Sequence, residues 1–166
     1  MSELIFLKLG GSLITDKTRP YTPRQDKLTD LAHQIAAALQ TQPDMHLVLG
    51  HGSGSFGHTA AKEHNTRAGV HDESGWRGFA EVWYQASKLN RFVMDALHTA
   101  GIPALAFPPS ANVTARDGRV AAWELNPLRT ALRVGIVPVI YGDVIFDDIR
   151  GGTILSTEDL MLYLAR

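Results

Sequence analysis

Leu47-Val48-Leu49-Gly50-His51-Gly52-Ser53-Gly54-Ser55-Phe56-Gly57-His58 runs from an apolar stretch into a loop where four of the eight residues from Gly50 to Gly57 are glycine and two are serine. The apolar part reads as a buried strand, and the rest as a turn that opens a helix. Backbone N–H groups without Cβ atoms in front of them, at a helix N-terminus, form a cradle for phosphate. Glycine also serves tight turns that need positive φ, so one such loop decides little. A second loop tips the balance: Leu4-Ile5-Phe6-Leu7 leads into Lys8-Leu9-Gly10-Gly11-Ser12, another strand ending in glycine. Gly52 to Gly57 also fits GxGxxG, but the dinucleotide fingerprint expects an acid at the end of a second strand about 20 residues on. Asp72 and Glu73 lie instead in a polar stretch leading into a helix. The Walker sequence GxxxxGK[ST] is absent, which excludes a P-loop kinase.

Outward from these loops the chain alternates strands and helices. Apolar positions Leu28, Leu31, Ala32, Ile35, Ala36 and Leu39 have helical spacing over residues 24 to 40. Residues 59 to 73 are polar and carry no clear assignment. From Ser74 to Thr99 the apolar spacing predicts a long amphipathic helix, with Gly101 as its stop. Ala104 to Phe107 reads as a third strand and Arg119 to Ala122 as an edge hairpin strand. Asn126-Pro127 opens a short helix through Val134. Ile136 to Tyr141 is a fourth core strand, Val144 to Phe146 and Gly151 to Leu155 form a hairpin, and Ser156 caps a last helix. This order predicts an α/β fold, a three-layer αβα sandwich with a mostly parallel central sheet and helices on both faces. Ligands in such sheets gather at the carboxyl ends of strands, so both glycine loops should face one site.

The 166 residues suit one core, and one domain is the expectation. With 16 Lys plus Arg against 17 Asp plus Glu, bulk electrostatics favours neither nucleic acid nor a membrane surface. The absence of cysteine excludes disulfides, Cys-ligated zinc, iron–sulfur clusters and thiol catalysis. No apolar run approaches the roughly 18 residues a membrane span needs, and a soluble cytoplasmic protein is expected. Lys8 at a strand end and Lys17 after the first glycine loop place two ammonium groups where they can converge on a phosphate. His58, at the start of the helix after the second loop, can donate to a phosphate oxygen, while the other six histidines lie without metal spacing. No metal-ligand set is read, and Asp143 and Asp159 are candidates only for orienting the lysines.

Leu7 to Lys17 and His51 to His58 resemble the first and second motifs of the amino-acid-kinase superfamily, and within it of the isopentenyl phosphate kinases. Pro138 to Val144 and Gly152 to Ser156 are similar to later segments of the same domain, so the resemblance spans essentially the whole chain. It implies that Lys8, Gly10, Gly11 and Ser12 hold ATP phosphates and that Lys17 neutralises charge on the transferring phosphoryl group. His58 would grip the acceptor phosphate, the backbone at Gly52 and Ser53 would contact that phosphate, Gly54 would face ATP, and Thr157 would stand near the substrate. Lys8, Lys17 and His58 would thus form the catalytic set, with ATP and Mg2+ as cofactors. Such catalysis is positioning plus charge stabilisation, without a covalent enzyme nucleophile. An apolar tail must lie beyond the acceptor phosphate, and the long helix with Phe79, Val82, Trp83 and Phe92 is the expected wall. Ser53 stands where that family usually has glycine, and Thr157 and Glu158 where it more often has glycine and aspartate.

Family members continue into a second half that holds the nucleotide. Residues 1–166 are therefore expected to be the phosphate-acceptor lobe, ending near the junction with a missing ATP-binding lobe. The expected reaction is ATP-dependent phosphorylation of isopentenyl phosphate, a small isoprenoid monophosphate, to isopentenyl diphosphate in isoprenoid biosynthesis. Two alternatives stand beside it. One is a kinase for another small phosphate or phosphonate, as in the similar fosfomycin kinases; the other is a non-catalytic phosphate-binding module, or a chain completed by a second copy as a homodimer.

Overall fold

A computed structural model describes residues 3–166. In chain order the elements are β1 (Glu3–Leu9), the single turn α1 (Gly11–Ile14), α2 (Gln25–Thr41), β2 (Met45–His51), α3 (Gly54–His64) and α4 (Glu73–Thr99). There follow β3 (Ala104–Ala106), β4 (Val113–Arg116), β5 (Arg119–Trp123), α5 (Asn126–Arg133), β6 (Val137–Tyr141), β7 (Asp143–Asp147), β8 (Gly151–Leu155) and α6 (Thr157–Leu164). Short 3-10 turns at Thr66–Ala68 and Pro109–Ala111 complete the set.

Strands β1, β2, β6 and β3 form, in that order, an all-parallel sheet. Period-two alternation sorts its side chains. Leu47 and Leu49 of β2, with Val137 and Val139 of β6, face Leu28, Ala32 and Ile35 of α2 and Leu89, Val93 and Leu97 of α4. Val48 and Ile140 face the opposite way, onto Leu128 and Ala131 of α5 and Leu160 of α6. The result is the expected three layers. Pro138 sits inside β6, where a missing N–H should break a ladder. The Val137 N–H points toward the β3 side, onto the Pro103 carbonyl at 2.8 Å, and pairing with β2 begins only at Val139.

The structure adds a second four-stranded sheet, ordered β5, β4, β7, β8, where the sequence predicts one hairpin and a separate edge strand. The antiparallel pairs β4–β5 and β7–β8 are joined through a short parallel pairing of β4 with β7. β4 itself was not anticipated, because Val113-Thr114-Ala115-Arg116 is too short and polar to stand out. Residues 59 to 73, unassigned from sequence, contain the rest of α3 and the turn at Thr66–Ala68. Helix α4 is capped by Asp72, whose carboxylate accepts from Gly75 N–H at 2.7 Å. Its 27 residues reach from the parallel sheet to the second one, where Phe79 and Val82 pack with Val70 and Val144. Among the described residues no helix is long and apolar enough to cross a membrane.

Candidate functional site

Parallel pairing of β1 with β2 sets Leu9 opposite His51, so the two glycine loops leave the sheet side by side. Gly52 N–H donates to the Leu9 carbonyl at 3.0 Å and holds them together. Their backbones are in van der Waals contact: a Cβ on Gly11 would lie 2.6 Å from Gly54 N, and one on Gly52 would lie 2.9 Å from Gly11 N. Gly54 adopts φ +49° and turns the chain into α3, with Thr15 Oγ1 in the space a Cβ would need. That hydroxyl ties the loops, donating to the Gly11 carbonyl at 2.7 Å and accepting from Ser55 N–H at 3.0 Å. Ser53 holds φ −76°, ordinary for serine, so its replacement of glycine carries no strain.

The loops floor a cleft of about 920 Å³. The ten residues that the sequence resemblance gives catalytic or phosphate-binding roles line it: Lys8, Gly10, Gly11, Ser12, Lys17, Gly52, Ser53, Gly54, His58 and Thr157. Ser53 and Gly54 N–H have no protein acceptor among the described residues, the condition in which a helix N-terminus takes an anion. Lys17 and His58 are exposed at the rim. The Lys8 ammonium is bound to Glu158 in the first turn of α6, and this hydrogen bond chiefly holds the Glu158 carboxyl below the usual carboxylate range. Asp16, beside Lys17, accepts from Thr18 and Arg19, which lowers its carboxyl to about 2.

Two expectations need correction. Asp143 and Asp159 orient no lysine: Asp143 is buried and accepts from the Ser110 and Val144 N–H groups, and burial raises it to about 6. Asp159 serves the capping box of α6 with Ser156 and lies 3.8 Å from Arg67. The acid that meets a lysine is Glu158. The apolar wall also differs, since of Phe79, Val82, Trp83 and Phe92 only Val82 lines the cleft. Phe92 faces the core between α2 and α4, Phe79 packs edge-on to Trp76 and tilted against Phe146, and Trp83 is exposed. The cleft's apolar lining comes from Val82 and Ala86 of α4, Ala61 of α3 and Ile154 of β8.

Two features escaped the sequence reading. Arg67 enters the cleft from the turn after α3, whose place no local pattern gives. Ser55 Oγ is buried in the cleft wall without a hydrogen-bond partner. Thr157, in contrast, has its hydroxyl committed: it donates to the His51 carbonyl at 2.6 Å.

The family model described as the amino acid kinase family matches residues 3–166, and the chain belongs to that family. The isopentenyl phosphate kinase of Methanocaldococcus jannaschii is 34% identical over 171 residues, covering 98% of this chain and 64% of that protein. That of Methanothermobacter thermautotrophicus is 40% identical over 153 residues, covering 89% of this chain and 56% of that protein. A solved isopentenyl phosphate kinase superposes with a TM-score of 0.89 at 36% identity, over 98% of this chain and 68% of that one. The chain thus spans less than two thirds of the length of these two curated relatives.

Proposed function

We propose that this chain carries the acceptor lobe of a kinase that transfers the γ-phosphoryl group of ATP to isopentenyl phosphate, giving isopentenyl diphosphate. The observation that carries the reading is one cleft lined by two abutting glycine loops, a cation set and a group of apolar side chains. A monophosphate on an apolar tail matches both kinds of lining. The apolar lining disfavours a compact polar phosphonate such as fosfomycin, whose surface would leave it unfilled.

In this reading Ser53 N–H, with His58, holds the acceptor phosphate, Gly54 N–H faces the ATP side and Lys17 faces the transferring group. An acceptor oxygen attacks the γ-phosphorus and the bridging oxygen leaves with ADP. Lys8 exchanges Glu158 for a phosphate oxygen, one anionic partner for another. Gly10 leaves room for a nucleotide's phosphates, with nothing within 4 Å of where its Cβ would lie, while Gly11 and Gly54 lack Cβ atoms so that the two loops can abut. Among the described residues no group of three or more His, Asp or Glu could hold a metal, so Mg2+ would arrive on the nucleotide's phosphates. It would neutralise charge there.

Phosphorus NMR of the chain with isopentenyl phosphate and MgATP tests this. Growth of diphosphate resonances is expected of a chain competent for transfer, and a saturable shift of the acceptor resonance alone of an acceptor lobe. No change with isopentenyl phosphate, alongside binding of fosfomycin, overturns the acceptor assignment.

A further inference from the structure

His51 ends β2 directly beneath the acceptor loop and is fully buried, yet the phosphate contacts above make no use of its ring. The ring stacks on Tyr141 with centroids 5.2 Å apart. Its Nδ1 lies 3.1 Å from the carbonyl of the next residue, Gly52, and its Nε2 lies 3.1 Å from Asn90 Nδ2 of α4. The Gly52 oxygen can only accept, so Nδ1 must carry the proton. Nε2 of the neutral ring is then an acceptor, which requires Asn90 to present its N–H. The carbonyl alone thus fixes both the tautomer and the amide orientation. Burial lowers the ring to about 4, so it is neutral near pH 7.

The consequence lies one atom further on. Every peptide in the described chain is trans, so the Gly52 carbonyl and the Ser53 N–H point in opposite directions. Pinning the carbonyl down onto the His51 ring aims the Ser53 N–H away from the core, into the cleft that Ser53 lines. Gly52 is the residue at which this peptide would otherwise turn over most easily, having no Cβ. The peptide before it is also fixed, because the His51 carbonyl accepts from Thr157 Oγ1. We propose that His51, oriented by Asn90, is a positioning residue that holds the Gly52–Ser53 peptide in the one orientation able to donate to the acceptor phosphate. The inference rests on the phosphate-acceptor reading of the cleft.

Two variants separate this role from packing. An asparagine at 51 places an amide N–H near the position of Nδ1, whereas a glutamine places its amide near Nε2. His51→Gln keeps a partner for Asn90 and loses the Gly52 contact; His51→Asn does the reverse. Calorimetric titration with isopentenyl phosphate should show affinity falling about tenfold in His51→Gln, the scale of one lost hydrogen bond, and staying within about threefold of wild type in His51→Asn. Thermal melts should show both variants losing stability, so affinity and Tm part company. Affinities that follow Tm in both variants, or wild-type affinity in His51→Gln, overturn the proposal.

Nitrogen-15 NMR of the wild-type chain keeps the test open if neither variant folds. The expected results are an Nδ1–H tautomer at His51 and a downfield shift of the Ser53 amide proton on adding isopentenyl phosphate. An Nε2–H tautomer, or saturable binding that leaves the Ser53 amide unmoved, refutes the positioning role. If the wild-type chain binds neither isopentenyl phosphate nor inorganic phosphate, the phosphate-acceptor reading itself fails, and this inference with it.

Discussion

Gly10 and Gly54 belong to loops that look alike in sequence, yet the structure asks different things of them. Gly54 has φ +49°, and a Cβ there would strike Thr15 and come within 2.8 Å of the Gly11 carbonyl, neither of which can retreat without opening the loop contact. Gly10 has φ −61° and nothing within 4 Å of a would-be Cβ. Gly54→Ala should therefore cost roughly 2 kcal/mol or more, from left-handed strain plus the clash, and should weaken binding of inorganic phosphate. Gly10→Ala should change stability by no more than about 0.5 kcal/mol. Urea denaturation of both variants checks the contrast, and equal losses would show that the loop contact is looser than described. Glycine content announced two special loops, but it could not say which glycine touches what. That information lies in the register of β1 against β2, a long-range property with no local signature.

Helix α4 was legible almost to the residue because its apolar spacing persists over 27 residues, and a long periodic signal outweighs local accidents. The face turned to the cleft was not legible. Phe79, Val82, Trp83 and Phe92 are the conspicuous side chains, and large aromatics are what a sequence reading reaches for as a wall. A cavity is lined by what leaves room, so Val82 and Ala86 border the space while Phe79 and Phe92 fill the core. Filling that space should separate the tail from the phosphate. Ala86→Phe is expected to lower isopentenyl phosphate affinity by at least about tenfold, with overpacking of about 1–3 kcal/mol visible in the melt. Inorganic phosphate, held by the loops alone, should bind as in wild type. Titration with both ligands decides it, and parallel losses would mean that the substitution had disturbed the loops rather than the tail.

At the scale of the whole molecule, two sheets raise the question of whether they unfold together. The sequence pointed to one core because strands and helices alternate without a linker; it could not reveal the β4–β7 pairing that gathers two hairpins into a second sheet. The core contacts argue for a single unit. Val48 of β2 and Ile140 of β6 share one apolar cluster with Val113, Ala115 and Trp123 of β4 and β5 and with Ile145 and Leu155 of β7 and β8. On the other side α4 packs Leu89, Val93 and Leu97 on the parallel sheet and Phe79 and Val82 beside β7. Neither sheet can lose its partner without exposing a cluster the other needs, so partial unfolding gains chain entropy only by stripping apolar surface from what remains. Thermal unfolding should then be one transition, with an enthalpy on the order of 110 kcal/mol at its midpoint for a chain of this length. With Trp76 and Trp83 of α4 replaced by phenylalanine, Trp123, buried on β5, reports the second sheet in fluorescence, while far-UV circular dichroism weights the helices. The two curves should coincide, and Leu89→Ala, a cavity worth about 2–5 kcal/mol on the parallel-sheet side, should move both midpoints equally. A fluorescence midpoint that stays in place while the dichroism midpoint falls would show the second sheet standing by itself. The wall of the cleft formed by Ile154 and Leu155 would then be able to loosen without the glycine loops.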